Sequence, residues 1–324
     1  MLRRHCLLAT LLLGQPAFAE GVTQYKVFFA SCRAPQSGKS LIALREFHEG
    51  RKRLLLTVDP ETLATQILPA DGLKLHHLSG KKVREASRDT PYGRAMADCE
   101  RNALLEQDAG IVHTLPSGKG VVLTIDLCPA IRPLERGLFD AILATFLPEE
   151  SPVPLGIAIT GKWMQEHPKD VAWLRQLEQD HKIAVTWINH SFNHRYSKEL
   201  PLSRNFLLQR GTNADFEILA TEAAMIDNGL CPSVFFRFPG LVSDQELVRR
   251  VIGYGLITVG SDAWLAKNQA ASQGSIVLVH GNGNEPIGIE KFLGLVKLER
   301  KAILERHWLL FDLRESVVRE EERR

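Results

Sequence analysis

An α/β fold is predicted for residues from about 118 onward, with a parallel sheet that is covered by helices and closes or nearly closes into a barrel. Short apolar runs alternate there with stretches of helical periodicity, the pattern of repeated strand and helix units. Ionisable residues follow the ends of several of these runs, where barrels of this kind carry ligands and catalytic groups. The sequence Pro116-Ser117-Gly118-Lys119-Gly120 separates this pattern from the less regular chain before it.

The first element of the predicted barrel is the run from Val121 to Ile125, a continuous apolar stretch typical of a strand buried on both faces. The other predicted strands are similarly apolar and comprise residues 155–160, 183–188, 234–238, 256–259, 276–279 and 308–311. Amphipathic spacing predicts helices over residues 135–146, 170–179, 215–228, 244–253 and 289–304. About seven such repeats are enough to close or nearly close a barrel.

The chain before the barrel is harder to interpret. Residues 20–117 mix two predicted strands, 25–29 and 54–58, with polar loops and a predicted helix over 92–107. We interpret this part as a small accessory domain of unknown role, followed by the barrel domain at 118–324.

Residues 1–19 have the features of a cleavable signal peptide. A basic segment with Arg3 and Arg4 precedes the apolar run 6–13 and an Ala-x-Ala site that predicts cleavage after Ala19. The apolar run is far shorter than the roughly 20 residues that span a bilayer. The sequence therefore predicts an exported protein, periplasmic or secreted, that does not span the membrane.

The charge of the chain argues against a nucleic-acid partner. With 40 Lys and Arg against 38 Asp and Glu the net charge is +2, and loss of Arg3 and Arg4 with the leader makes it zero. A neutral chain has no long-range field that attracts a polyanion. After export the remaining cysteines can form disulfides, and the predicted pair is Cys32 with Cys99, because both precede the barrel.

Short polar motifs follow the predicted strands in succession. They are Thr124-Ile125-Asp126-Leu127, His190-Ser191-Phe192-Asn193-His194, Arg237-Phe238-Pro239-Gly240, Asp262-Ala263-Trp264 and Leu278-Val279-His280. In residue type and order these motifs resemble those of the polysaccharide deacetylase family, also called the NodB homology domain or carbohydrate esterase family 4. The resemblance covers about residues 118–314 and implies a deformed (β/α)7-type barrel.

The resemblance implies a divalent metal, with zinc as the expected ion, held by His190 and His194. Two histidines four positions apart on a helical turn would share one face, a geometry that a single ion can bridge. Bound there, the ion would polarise an acetamide carbonyl and activate a water molecule.

The resemblance also assigns catalytic roles. Asp126 would be the general base, Arg237 would hold that carboxylate ionised and oriented, and His280 would protonate the departing amine. Pro239 and Trp264 would wall the sugar site. Each residue has a structural interpretation as well: Asp126 as a helix N-cap, His280 as a buried hydrogen-bonded histidine and Trp264 as a core residue.

One position departs from the family pattern. The first motif of the family continues with a second aspartate, the third metal ligand, where this sequence has Leu127. Water or Asp126 could complete the site, Asn193 or Cys128 could substitute, or the domain could be free of metal. We interpret Cys128 first as a buried small residue or as half of a disulfide with Cys231; as a ligand, its thiolate would favour zinc.

The leading functional hypothesis is an exported metal-dependent hydrolase that removes N-acetyl groups from an amino-sugar polysaccharide. An amidohydrolase acting on another small amide is the second hypothesis; a narrow pocket around Trp264 would favour it, whereas an open groove would favour a carbohydrate polymer. The third is a degenerate, non-catalytic carbohydrate-binding protein. Leu127 supports that reading, and the retention of Asp126, both histidines, Arg237 and His280 argues against it.

Overall fold

The computed structural model describes residues 21–323, so the predicted signal peptide, residues 1–19, lies outside the described residues. The first sheet is antiparallel, with strand order β4-β3-β2-β1-β5. Its strands are β1 (Val22–Arg33), β2 (Ser40–Glu49), β3 (Lys52–Val58), β4 (Thr65–Pro69) and β5 (His76–His77).

The second sheet is parallel and curls into a half-barrel, with strand order β10-β9-β8-β7-β6-β12-β11 and β13 beside β6. Its strands are β6 (Gly120–Leu127), β7 (Val153–Ile159), β8 (Ile183–Asn189), β9 (Pro232–Phe236), β10 (Ile257–Thr258), β11 (Ala263–Trp264), β12 (Ile276–His280) and β13 (Leu309–Leu310). The predicted α/β fold with a deformed barrel is thus confirmed.

Helices pack around the half-barrel. They are α1 (Gly80–Ser87), α2 (Pro91–Arg101), α3 (Arg136–Phe146), α4 (Gly161–Glu166), α5 (Pro168–Gln179), α6 (Ala214–Asp227), α7 (Gln245–Gly253), α8 (Pro286–Leu304) and α9 (Leu313–Arg323). Of these, α3 to α8 connect its strands, α1 and α2 precede it, and α9 follows its last strand. Polar N-caps begin several of them; Asp244, for example, accepts a hydrogen bond from the Leu247 amide at 2.8 Å. Within residues 21–323, no helix combines the length and the apolar character needed to cross a bilayer.

Strand β6 lies inside the half-barrel, between β7 and β12. Every one of its residues is buried, as expected for a parallel strand that is covered on both faces. Its two polar members are Thr124 and Asp126, and both are hydrogen-bonded by the same buried arginine, Arg237. A buried polar group in such a strand needs a partner to offset its desolvation, so this pairing marks the site described below.

The antiparallel sheet packs against the barrel. Arg45 on β2 is fully buried and donates from Nε and Nη2 to the Glu222 carboxylate on α6, at 2.7 and 2.9 Å. The Tyr25 hydroxyl donates to the same carboxylate at 2.9 Å. Ile42 of the sheet and Phe235 of the barrel belong to one apolar cluster. The two parts of the chain therefore share a core.

The segment between α2 and β6 also contacts the barrel. Isolated bridges pair it with residues beside β9, β10 and β12, namely Gln107 with Val242, Ile111 with Val259, and His113 with Ser275. It therefore runs between the two ends of the curled sheet. These contacts join residues on either side of the predicted domain boundary at residue 118. The boundary itself stays a prediction.

The described cysteines, Cys32, Cys99, Cys128 and Cys231, are all free thiols. The predicted disulfide between Cys32 and Cys99 is therefore wrong, because Cys99 faces β10, where its thiol donates to the Thr258 carbonyl at 3.4 Å. Cys128 likewise does not pair with Cys231, which lies 3.6 Å from the Thr65 hydroxyl.

Glu150, between α3 and β7, gives a pH-dependent stability prediction. Burial raises the pKa of this carboxyl from 4.5 to about 7, although the Leu310 amide donates to it at 3.2 Å. Its favourable contribution is therefore complete below pH 4.5 and is lost as the pH rises through 7. Glu150→Gln retains an acceptor for Leu310 and should raise the free energy of unfolding by about 1–2 kcal/mol at alkaline pH.

Urea unfolding of wild type and Glu150→Gln at pH about 8.5 and about 5 tests this prediction. The gain should be much smaller at the lower pH, because the wild-type carboxyl is protonated there. An equal gain at both values would mean that ionisation of Glu150 is not the cause.

Candidate metal centre and active site

The predicted catalytic residues meet at the carboxyl ends of the parallel strands. Asp126 lies near the end of β6, and its register partner on β12 is His280. His190 and Arg237 directly follow β8 and β9. Because parallel strands end at one edge of a barrel, side chains that are far apart in sequence converge there.

Cys128, His190 and His194 form a cluster of metal-binding atoms. One ligand atom from each residue lies within 4.8 Å of the others, and Cys128 and His190 are buried. The Cys128 Sγ atom is 3.6 Å from His190 Nε2. A thiolate and two imidazoles are donors that zinc accepts with a fourth position left open. Of the alternatives to the missing aspartate, the geometry favours Cys128.

Asn193 and Leu127 do not belong to this cluster. The side chain of Asn193 is held by Glu217, because its Nδ2 donates to Glu217 Oε1 at 2.7 Å. Leu127 is fully buried in an apolar cluster with Leu123 and Ile159.

The loop that carries the two histidines is not a helical turn, so the predicted helical geometry is wrong. Ser191 and His194 have φ values of 66° and 46°, in the left-handed region, and the two imidazole centroids are 4.9 Å apart. Glu217 on α6 holds the loop, because its Oε2 accepts from the Phe192 and Asn193 amides at 2.8 and 2.7 Å. The left-handed residues allow both rings to face the same point.

The orientation of His190 suits a metal ligand. Its Nδ1 lies 2.9 Å from the Arg237 carbonyl, to which it donates, so Nε2 is left as the acceptor nitrogen. Nε2 faces the Cys128 thiol and lies 3.6 Å from Asp126 Oδ2. A ring nitrogen held by a carbonyl fixes the tautomer that coordinates metals.

The electrostatics of Cys128 favour its thiolate. Burial alone would raise the pKa of the thiol, but His194 and His280 hold that pKa well below its ordinary value. Only the thiolate coordinates a metal ion, so the surroundings preform the ligand.

Asp126 and Arg237 are a buried pair. Arg237 Nη1 donates to Asp126 Oδ1 at 2.7 Å and to the Thr124 hydroxyl at 2.8 Å, while Nη2 donates to the Gly260 carbonyl at 2.9 Å. Burial opposes ionisation of Asp126, but Arg237, His190 and His280 together lower the pKa of this carboxyl. Asp126 is therefore ionised at neutral pH, with Oδ2 directed towards the metal-binding atoms.

His280 lies beside a carboxylate that the sequence did not indicate. Its Nδ1 is 3.2 Å from Glu285 Oε2, which also accepts from Trp264 Nε1 at 2.8 Å. Lys267 Nζ lies 2.8 Å from the other carboxylate oxygen. Burial opposes the charge on His280, but Cys128, Glu285 and Asp126 raise the pKa of the imidazole to about 10. His280 is therefore placed as a proton donor.

The site opens into a cavity of about 920 Å³, and Asp126, Cys128, His190, His194 and His280 all line it. Trp264 lines the same cavity, as its predicted role requires. Pro239 is buried and, contrary to its predicted role, does not line this cavity; its neighbours Gly240 and Leu241 do. A second cavity of about 760 Å³ shares Pro129, His194 and Tyr196 with the first.

Asp262, from the fourth motif, has a structural role in holding neighbouring segments together. Its Oδ1 accepts from the Ile276 amide at 3.0 Å, and its Oδ2 lies 2.7 Å from His113 Nδ1. It therefore holds the start of β12 and the segment before the barrel, whereas Glu285 is the carboxylate beside His280.

Comparison with known proteins gives a family match in the N-terminal part of the chain and several similar solved structures. Residues 23–92 match the family described as RP012 protein N-terminal domain. The chain is also similar to a family 4 carbohydrate esterase from Streptomyces lividans in complex with acetate, with 18% identity, 59% of this chain and 91% of that chain covered, and a TM-score of 0.40.

Two further solved structures are of the same kind. A family 4 pseudoenzyme from Bacillus anthracis has 15% identity, with 64% of this chain and 68% of that chain covered and a TM-score of 0.44. The peptidoglycan deacetylase PdaC from Bacillus subtilis has 15% identity, with 64% and 93% covered and a TM-score of 0.43. The esterase and the pseudoenzyme carry the family name that the sequence motifs suggest, and PdaC is named as a deacetylase. At this level of similarity, function has to be argued from the side chains.

Proposed function

We propose that this protein is a deacetylase-like hydrolase that uses a divalent metal, zinc by preference, to remove N-acetyl groups from an amino-sugar polysaccharide. The observation that carries the proposal is the cluster of Cys128, His190 and His194, with donor atoms within 4.8 Å, beside Asp126 and His280 in one cavity. A protein that only binds carbohydrate has no need for this combination of ligands, base and acid.

The chemistry follows from the positions of the charged groups. When bound, the metal would polarise the amide carbonyl and lower the pKa of a water molecule. Asp126 takes the proton of the attacking water at Oδ2, while Arg237 holds Oδ1 at 2.7 Å. His280 delivers a proton to the amine nitrogen as the carbon–nitrogen bond breaks, because a neutral amine leaves far more readily than its anion.

The shape of the site favours a polymer over a small amide. The two cavities of about 920 and 760 Å³ adjoin at Pro129, His194 and Tyr196, which makes a site longer than one sugar needs. Tyr196 at the junction and Trp264 in the larger cavity offer aromatic faces for sugar rings. Export, periplasmic or secreted, is part of the proposal and rests on residues 1–19; a mature N-terminus other than Glu20 would contradict the cleavage site.

The decisive experiment measures bound metal by mass spectrometry and acetate release from chitooligosaccharides and from peptidoglycan. We expect about one zinc ion per chain, loss of acetate release on chelation and recovery when zinc is restored. His190→Ala should lose both metal and activity, whereas His307→Ala, at an exposed and distant histidine, should keep both. Bound metal with acetate release only from small amides would favour the amidohydrolase, and carbohydrate binding without metal or turnover would favour the non-catalytic protein.

A further inference from the structure

The stretch before the barrel contributes a carboxylate to the active-site cavity. Gln107 and Asp108 line the same cavity as Asp126 and His280, although both precede the barrel in sequence. The Asp108 amide donates to the Leu241 carbonyl at 2.9 Å, and Gln107 bridges to Val242. These contacts fix the segment against the cavity wall that follows β9.

Only one of the two carboxylate oxygens of Asp108 accepts a hydrogen bond from a described residue. Its Oδ1 accepts from the Ser261 amide at 3.1 Å, whereas no described residue donates to Oδ2. Burial raises the pKa of this carboxyl, and the Ser261 amide and Arg237 partly oppose that rise. A partly buried carboxylate oxygen without a donor can be stabilised by a donor on a ligand.

The backbone around Asp108 is shaped for this close approach. Asp108 has a φ of 57°, in the left-handed region where a non-glycine residue is strained. A Cβ atom at Gly260 would lie 2.9 Å from Asp108 Oδ1 and 3.1 Å from its Cα, so a side chain at Gly260 would displace the carboxylate. Glycine at position 260 therefore leaves room for the Asp108 carboxylate at the cavity wall.

The position of Asp108 in the cavity indicates which groups of a bound sugar would contact it. It lines the same cavity as Trp264 and the metal-binding cluster, beside Leu241. A sugar ring bound against Trp264, with its acetamide near the metal-binding cluster, would have its hydroxyl groups inside the cavity that Asp108 lines. An ionised carboxylate only accepts hydrogen bonds, so a hydroxyl is a matching partner.

We propose that Asp108 is a specificity-determining residue that accepts a hydrogen bond from a hydroxyl group of the bound sugar. The inference rests on the proposed action on an amino-sugar polymer and names the group that recognises the sugar. It also gives the segment before the barrel a role in substrate binding. Loss of a hydrogen bond to a charged group costs binding about 10-fold or more.

The test measures binding apart from turnover. Asp126→Asn protein loaded with zinc serves as the parent, and chitotetraose affinity is measured by calorimetry with and without Asp108→Asn. Asparagine retains Oδ1 as an acceptor for Ser261 and removes the carboxylate charge. We expect affinity to fall about 10-fold, with an unchanged thermal midpoint, whereas Asp71→Asn at an exposed position should have no effect.

The outcomes separate this inference from the proposed function. Affinity within about twofold of the parent, or no chitotetraose binding by the parent at all, would overturn the role of Asp108. Wild type that binds chitotetraose through Asp108 but releases no acetate would overturn the enzymatic proposal alone. In active wild type, the same substitution should raise KM more than it lowers kcat, whereas a defect confined to the Ser261 loop would lower the thermal midpoint.

Discussion

Replacement of Cys128 by serine is expected to weaken zinc binding by at least about 100-fold, because loss of even an outer partner of a metal ligand costs affinity about 10- to 100-fold. The Sγ atom is the only sulfur in the cluster with His190 and His194. A serine hydroxyl is a poor substitute, since it is not ionised at neutral pH. Activity should fall with metal occupancy.

Competition with a chromophoric chelator measures the change, and the cobalt-loaded protein identifies the ligand. Wild type should show a sulfur-to-cobalt charge-transfer band that Cys128→Ser lacks. Cys128→Asp places a carboxylate at the position of the thiol and should retain more metal than the serine variant. Cys231→Ser is the matched control, because that free thiol lies beside Thr65, outside the site. Equal zinc affinity in wild type and Cys128→Ser would show that the histidines bind metal without the thiol.

Cys128 could have been inferred from strand geometry as the candidate third ligand. Side chains alternate along a strand, so Asp126 and Cys128 point to one face and Leu127 to the other. Leu127 accordingly packs in the apolar cluster, while Cys128 faces His190. The family motif suggests that a ligand is missing at Leu127. The two-residue period of the strand indicates instead that Cys128 lies on the same face as Asp126.

Most of the barrel strands were predictable because they are continuous apolar runs, whereas β11 (Ala263–Trp264) has only two residues and gives no such run. Strand β2 was not predictable, since it contains Arg45 and Glu46, both buried and charged. Their partners, Glu222 on α6 and Arg53 on β3, are set by the tertiary fold and are invisible to a local pattern. A charged strand becomes buried only when distant partners offset the desolvation.

The active-site residues likewise divide into those that the sequence predicts and those that it does not. Residues at strand ends, such as Asp126 and His280, were predicted because position and residue type coincide. Glu285 and Asp108 lie in loops with φ values of 47° and 57°, and no short motif marks them. A polar residue in a loop gives no periodic signal, so only the folded chain reveals its proximity to the site.

Asp126→Asn is expected to lower kcat by about 100- to 10,000-fold, the range for loss of a general base, while zinc remains bound. Metal should be retained because the ligand atoms belong to Cys128, His190 and His194. Asparagine Oδ1 still accepts from Arg237 Nη1, which keeps the geometry, although the buried arginine loses its counter-charge. We therefore expect the thermal midpoint of the variant to fall, so its activity should be assayed at temperatures well below that midpoint.

The measurement pairs acetate release with metal content on the same preparation. A variant with full zinc occupancy and activity within tenfold of wild type would show that Asp126 is not the base, and His280 or a second water would have to accept the proton. Loss of zinc and activity together would place Asp126 among the ligands instead. The expected result, full occupancy with little turnover, distinguishes a catalytic carboxylate from a coordinating one, because loss of a coordinating carboxylate would also lower zinc occupancy.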